Sequence, residues 1–585
     1  MVRRGVLLAV AVVCLFIASL GLGVVAADDV DEEPGIDFEC DDVGVPPDDF
    51  SPPEDGNETI GWFDGYWYDE PLDINASDGL TQDELDTLSA RTAARLEAMR
   101  CLTFEELPPV EIITRDEFAN ETEAQFESVS PETRAFDNAQ FEAMLLIGST
   151  EDSIDVRQES RSVSVGGYYN FIENEIVIIS EGQDEETLQI DEEILAHELG
   201  HALQDQHFDL AQFQRDTTDL DLGKLAVIEG DVHRIEMEYL EHCEEERWSD
   251  PCVTQDEGAG NGGGEPPSWG LYFKQFQPYS DGPAFVEHIY REGDGWESVN
   301  ALYDDMPDSA MFSIYPDRYD EVETEDVLIP DRSDDDWERK QLPGEPDYNE
   351  IGQAGLSAMF MDPTYDDGDI TSGPVVTGDD FLNLDETGTA VNPFNPLNYD
   401  LAYTDGWRGD KLYVYTDGEE TATVWTIAWA TEDDTMQFVE AYEELIAYRG
   451  GELVPGYANV WEFEGDSDFD MVLAVYPDDD RLWIVTAPTL NDLTAVHSDI
   501  EMIEIDDNGA DDFQPADDLF GDDDDDTAPV LPADDGEEPP NDADGDDTIV
   551  VDDGTENDDP IPGFGVLLAI AAAIGAWFVL ARRAD

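Results

Sequence analysis

The chain has 585 residues, 41% of them hydrophobic, which is enough for two or more domains with real cores and excludes a disordered polymer. Its formal net charge is −120, from 145 Asp and Glu against 25 Lys and Arg. Such a surface repels nucleic acid and anionic lipid, so neither is an expected partner; it suits a folded protein in concentrated salt, where the short Debye length screens self-repulsion.

The N-terminus places Arg3 and Arg4 ahead of an apolar run, and Val25, Ala26 and Ala27 ahead of an acidic one. This is the layout of a secretory signal peptide over residues 1–27, with an uncleaved anchor as the alternative. The paired arginines also permit twin-arginine export. Residues 28–85 read as an acidic extension, and Asn57, Asn75 and Asn120 each open a glycosylation sequon. In an exported chain Cys40 can pair with Cys101 and Cys243 with Cys252, one of the three connectivities that four cysteines allow.

Residues 86–325 read as a mainly helical region with strands near Val110–Thr114, Ala143–Gly148 and Tyr168–Ser180, the last a hairpin with Asn174 in its turn. Asp191–Gln206 then carries Leu195, Leu199 and Ala202 at helical spacing, an apolar stripe that packs inward. His197 and His201, in the stretch HELGH, project from neighbouring turns of one face and can share a zinc ion (Zn2+). Glu198 sits one step around the helix, where a general base can take the proton of a metal-activated water.

Two residues compete to be the third ligand, and a third possibility, His233, follows one of them by a turn. HELGHALQDQH follows the longer HExxHxxGxxH pattern except that Gln204 stands where the pattern has a helix-ending glycine. If the helix continues instead, His207 lies about 240° around the axis from His201 and faces away. The rival is Glu229, in a second long helix, LGKLAVIEGDVHRIEMEYLEH, whose inward stripe of Leu222, Leu225, Val232 and Tyr239 is interrupted by Glu229 and Glu236. A carboxylate aimed into a core is costly unless something pairs with it, and a zinc ion would. Glu229 is therefore the preferred ligand, with pairing to Arg234 as the alternative. His233 and Asp231 are candidates to support the metal-binding imidazoles.

Beyond it, Thr254–Ser268 reads as a flexible insertion, and His288, Tyr290, Tyr315 and Tyr319 are available as oxyanion donors with no spacing to choose among them. Residues 326–505 read as α+β with a mainly antiparallel sheet: KLYVYTD, TATVWTIAWA, MVLAVYP and RLWIVTA as strands, MQFVEAYEELIAY as an amphipathic helix. Residues 506–560 are an acidic stalk with no core-forming content. In residues 561–585 the apolar run Ile561–Ala581 is about long enough to span a bilayer, and Arg582 and Arg583 would hold the C-terminus inside.

Two resemblances follow from these residues. Pro562, Gly563 and Phe564, between an acidic linker and an apolar helix with terminal arginines, resemble the PGF-CTERM sorting tail of haloarchaeal surface proteins. That resemblance implies processing by an archaeosortase and a membrane or lipid anchor through the C-terminus. His197, Glu198, His201 and Glu229 resemble the gluzincin arrangement, which implies a zincin-like, mainly helical metallopeptidase domain ahead of the α+β domain. The expectation is a cell-surface zinc peptidase acting on a peptide or protein substrate. The alternative is a non-enzymatic structural or adhesive surface protein that keeps a zincin scaffold.

Overall fold

The computed structural model describes residues 38, 40 and 42–505 apart from 75–78, 181–189, 214–215, 254–265, 320, 343–345, 366–369, 371–372, 386, 389 and 464–466, and adds 561–563. The expected signal peptide, the stalk, the apolar tail beyond Gly563, the Asn75 sequon and most of Thr254–Ser268 lie outside the described residues. No helix of the described residues is long and apolar enough to cross a membrane.

The chain is mixed α+β with a mainly antiparallel larger sheet. Helix α1 (Gln82–Arg100) starts at a capping box, in which Thr81 and Glu84 satisfy each other's backbone N–H, and ends at Cys101 in the left-handed region. Disulfides join Cys101 to Cys40 and Cys243 to Cys252, the pairing considered from the sequence. Strand β1 (Val110–Thr114) leads into α2 (Arg115–Glu127), α3 (Pro131–Ala143) and α4 (Ser153–Ser164). The expected hairpin follows as β2 (Gly167–Asn170) and β3 (Glu175–Ser180), with Asn174 at φ +49° in the turn, a conformation Asn tolerates better than most residues. β1 lies parallel to β3, and the outer edge of β2 carries Ile561–Gly563 antiparallel to it.

No strand forms over Ala143–Gly148. The N–H groups of Met144 to Ile147 fold back onto the carbonyls of Gln140, Phe141 and Glu142 at the end of α3, with Leu145 at φ +58°. The run is apolar because it is buried in the core on every side, and such burial reads alike for a strand and a helix end.

Three long helices come next and pack on one another: α5 (Glu192–Phe208), α6 (Thr218–Glu244) and α7 (Trp269–Glu292), then α8 (Gly352–Met361). The second half supplies β4 (Trp407–Thr416), β5 (Thr421–Trp429), α9 (Glu432–Tyr448), β6 (Gly451–Leu453), β7 (Val460–Phe463), β8 (Val472–Asp478), β9 (Arg481–Ala487) and α10 (Leu490–Val496), so every strand expected there is present. Its sheet runs β6-β7-β8-β9-β5-β4, all antiparallel, with the short segments Glu338–Arg339 and Tyr348–Asn349 beside β4. Both faces are covered. Leu412, Trp425, Leu473 and Ile484 join a core that also takes in Phe141, Phe273 and Met359, while Tyr415, Val424, Ala474 and Val485 pack with Leu493 and Val496 of α10. One apolar core thus runs from the helices onto one face of the sheet, and a second lies on the other face.

Candidate metal centre

Burial of the first turn fixes where α5 sits. Asp191 caps it by accepting from the Glu193 N–H at 3.2 Å. The buried Glu192 carboxylate accepts from Arg95 of α1 at 2.8 Å, Arg91 at 3.2 Å and the Tyr239 hydroxyl of α6 at 2.5 Å. Further along, α5 and α6 run antiparallel: His197 meets Glu236, His201 meets Glu229 and Gln204 meets the Ile228 carbonyl. Glycines permit the close crossings. A Cβ on Gly200 would lie 2.9 Å from a Val232 methyl, and one on Gly230 would lie 2.4 Å from the backbone of Gly282 in α7.

This packing gathers His197, His201 and Glu229, whose ligand atoms all lie within 4.8 Å of one another, each residue buried. The two Nε2 atoms are 3.1 Å apart, and Glu229 Oε2 is 3.5 Å from that of His197 and 3.4 Å from that of His201. Behind the rings, His197 Nδ1 faces Glu236 Oε2 at 3.1 Å and His201 Nδ1 faces Gln204 Oε1 at 2.9 Å. Both partners are acceptors, so each Nδ1 carries a hydrogen and each Nε2 is left to take a cation or an additional proton. Glu229 Oε2 is buried without a hydrogen-bond partner. Three acceptors therefore converge on one point, an arrangement that needs a cation or an additional proton.

The electrostatics agree. Burial works against a charged Glu229, but His201 and His197 outweigh it and hold the carboxyl down at about 2. Burial likewise works against the His197 imidazolium, and the Glu236 and Glu229 carboxylates override it and raise it well above the ordinary histidine value. Glu198 is fully buried, its carboxylate making no side-chain hydrogen bond and facing the Tyr169 backbone N–H of β2. Burial pushes it up to about 8, with Glu229 and Glu236 adding to the effect and His197 and the Tyr169 backbone N–H opposing it. Gly167 of β2 packs closely against it: a Cβ there would stand 3.4 Å from Glu198 Oε1 and 3.0 Å from an Ile194 methyl. Two imidazoles and one carboxylate form a donor set that fits zinc and leaves a coordination position open.

The other expected residues are placed elsewhere. α5 continues through Gln204, and the exposed His207 bonds the Thr103 carbonyl at 2.9 Å. Arg234 pairs with Glu287, leaving Glu229 to the histidines. Asp231 supports neither imidazole directly; Arg100 of α1 claims it with two contacts, at 2.8 and 3.0 Å. His233 donates to Glu236 at 2.7 Å and so steadies the carboxylate that holds His197. None of the four oxyanion candidates reaches the group. His288 faces Asp317, Tyr290 packs on Trp296, Tyr315 donates to Asp400, and Tyr319 donates to the Asp305 carbonyl.

Two participants escaped the sequence reading. Gln204, in the place of the missing glycine, orients His201 while its amide group donates to the Ile228 carbonyl at 2.8 Å and Tyr303 at 2.8 Å. A polar residue one turn beyond His201 on its face was the available signal. Tyr279 of α7 donates to Glu229 Oε1 at 2.8 Å, a contact made possible by the Gly230–Gly282 approach.

Among known proteins, residues 339–497 match the family model described as a domain of unknown function (DUF8575). The match covers the antiparallel sheet and leaves the His–His–Glu group outside. No curated protein and no solved structure matches the chain.

Proposed function

We propose that this protein is a zinc-dependent peptidase of gluzincin type, with a zincin-like arrangement of α5, α6 and β2, exported and held at the cell surface through its C-terminus. The observation that carries the reading is the convergence of His197, His201 and Glu229 beside the fully buried carboxylate of Glu198. Those three residues would hold the metal, which when bound supplies Lewis-acid polarisation of a carbonyl and lowers the pKa of water towards ~7. Glu198 takes the proton of the attacking water as the C–O bond forms, then returns it to the amine as the C–N bond breaks. Glu236 and Gln204 keep both imidazoles turned with Nε2 towards the centre.

A peptide or protein substrate is favoured by the edge of β2, which lies beside Glu198 and accepts Ile561–Gly563 as an antiparallel neighbour. The signal-like N-terminus, the acidic stalk and the PGF-like tail with its archaeosortase processing support surface attachment.

The test uses full-length protein in concentrated KCl, measuring zinc content and peptide hydrolysis for wild type and Glu198→Gln. Zinc in both with hydrolysis only by wild type is the expected result. Zinc in both with hydrolysis by neither would make the protein a non-enzymatic scaffold, and absence of zinc from wild type would overturn the reading altogether.

A further inference from the structure

A cavity of about 330 Å³ opens between α3, α4, α6 and α7, one helical turn from the metal group. Tyr279, which donates to Glu229, stands in its wall, as does Leu225, the residue one turn before Glu229 on α6. Val165, two residues ahead of the Gly167 that packs on Glu198, closes another side.

Charge sets this cavity apart from the rest of the molecule. In a chain with 145 acidic residues against 25 basic ones, carboxylates are available almost everywhere to neutralise a cation. Lys274, Arg157 and Arg161 all line the cavity. Arg157 is engaged by Asp137. The Lys274 ammonium instead lies 5.6 Å from the centroid of the Phe141 ring, and no carboxylate among the described residues pairs with it. Asp221 and Asp137 act on it from the wall without a direct ion pair, and Asp216 lines the wall beside them. A half-buried ammonium with carboxylates nearby and none in direct contact is costly unless a ligand completes its neutralisation.

We infer that this cavity is a subsite for an acidic side chain, taking the Asp or Glu next to the scissile bond of a peptide and binding its carboxylate through Lys274. Burial, with Arg157 adding to it and Asp221 and Asp137 opposing, lowers the Lys274 ammonium to about 8, which still leaves it charged at neutral pH. The volume is at the lower end of ligand pockets and admits one side chain. Because the lysine is withdrawn from bulk solvent, its attraction survives salt that would screen a surface pair. The inference rests on the peptidase reading for the scissile bond, and its binding part stands without it.

The experiment measures fluorescence anisotropy of a labelled alanine-rich hexapeptide with one central Glu, and of its Gln counterpart, on full-length Glu198→Gln protein in concentrated KCl. Cleavage of the same two peptides by wild type is followed in parallel. The Glu peptide is expected to bind about tenfold tighter, a preference that Lys274→Met abolishes and Lys274→Arg retains. The conservative variant separates loss of charge from loss of fold. Equal binding of the two peptides, or binding of neither, overturns the inference. A lysine-dependent Glu preference without cleavage by wild type supports the subsite and refutes the peptidase reading instead.

Discussion

Gly230 sits where α6 crosses α7, and replacing it with alanine sets two effects of known sign against each other. Alanine is the better helix former by about 1 kcal/mol, so in an open helix Gly230→Ala would stabilise. Here the added Cβ would stand 2.4 Å from the Gly282 carbonyl carbon and oxygen, both of them backbone atoms that cannot swing aside. Restoring ordinary contact near 3.4 Å requires the two helices to part by about 1 Å, and overpacking of that kind costs about 1–3 kcal/mol, at the upper end when backbone must move. The parting also stretches the 2.8 Å bond from Tyr279 to Glu229. The net expectation is a loss of about 1–2 kcal/mol, read from guanidinium unfolding in concentrated KCl with a chelator present to remove metal linkage. Gly200→Ala is the comparison, since its Cβ meets only Val232 side-chain carbons, at 2.9 Å, and the loss should be smaller. A Gly230→Ala protein as stable as wild type, or more so, would refute the helix crossing that brings Tyr279 to Glu229.

Glu236→Gln should weaken zinc binding by about 10–100-fold in a chelator competition, because the charged acceptor that orients His197 is lost; unchanged affinity would remove Glu236 from the site. Burial pushes the Glu97 carboxyl up to about 8, against backbone N–H groups of Phe104 and Gly61 that lower it. A group raised in the folded state contributes stability that is fully present below its unfolded value and lost as pH climbs through about 8. Wild type should therefore lose stability relative to Glu97→Gln by up to about 1.4 kcal/mol per unit over that window, and parallel unfolding curves would contradict it. The disulfides span 61 and 9 residues, so loop closure makes Cys40→Ser cost about 4 kcal/mol and Cys252→Ser about 2.5 kcal/mol in denaturation midpoints; the reverse order would count against the chain-entropy account.

What could be read from the sequence was local. The strands of the second half were legible because their inward and outward residues are both apolar and their turns are marked by Asp and Gly, as at Asp478 to Asp480 between β8 and β9. The convergence of the His–His–Glu group was legible because His197 and His201 share a helix face and because Glu229 breaks an apolar stripe, each a pattern within a single helix. Tyr279 lay out of reach: its approach depends on two glycines in different helices coming into backbone contact, which no local period records. Asp231 was placed wrongly for a similar reason, since Arg100, far away in sequence, neutralises it. Lys274 gave no sign at all, because the lack of a partner is a property of the packed cavity.

Zinc-edge anomalous diffraction from crystals of the full-length protein grown with zinc tests the central claim most directly. The account predicts one strong peak about 2.0–2.1 Å from the Nε2 atoms of His197 and His201 and about 2.0–2.2 Å from a Glu229 oxygen. A peak at His207, or none between the two imidazoles, would contradict it.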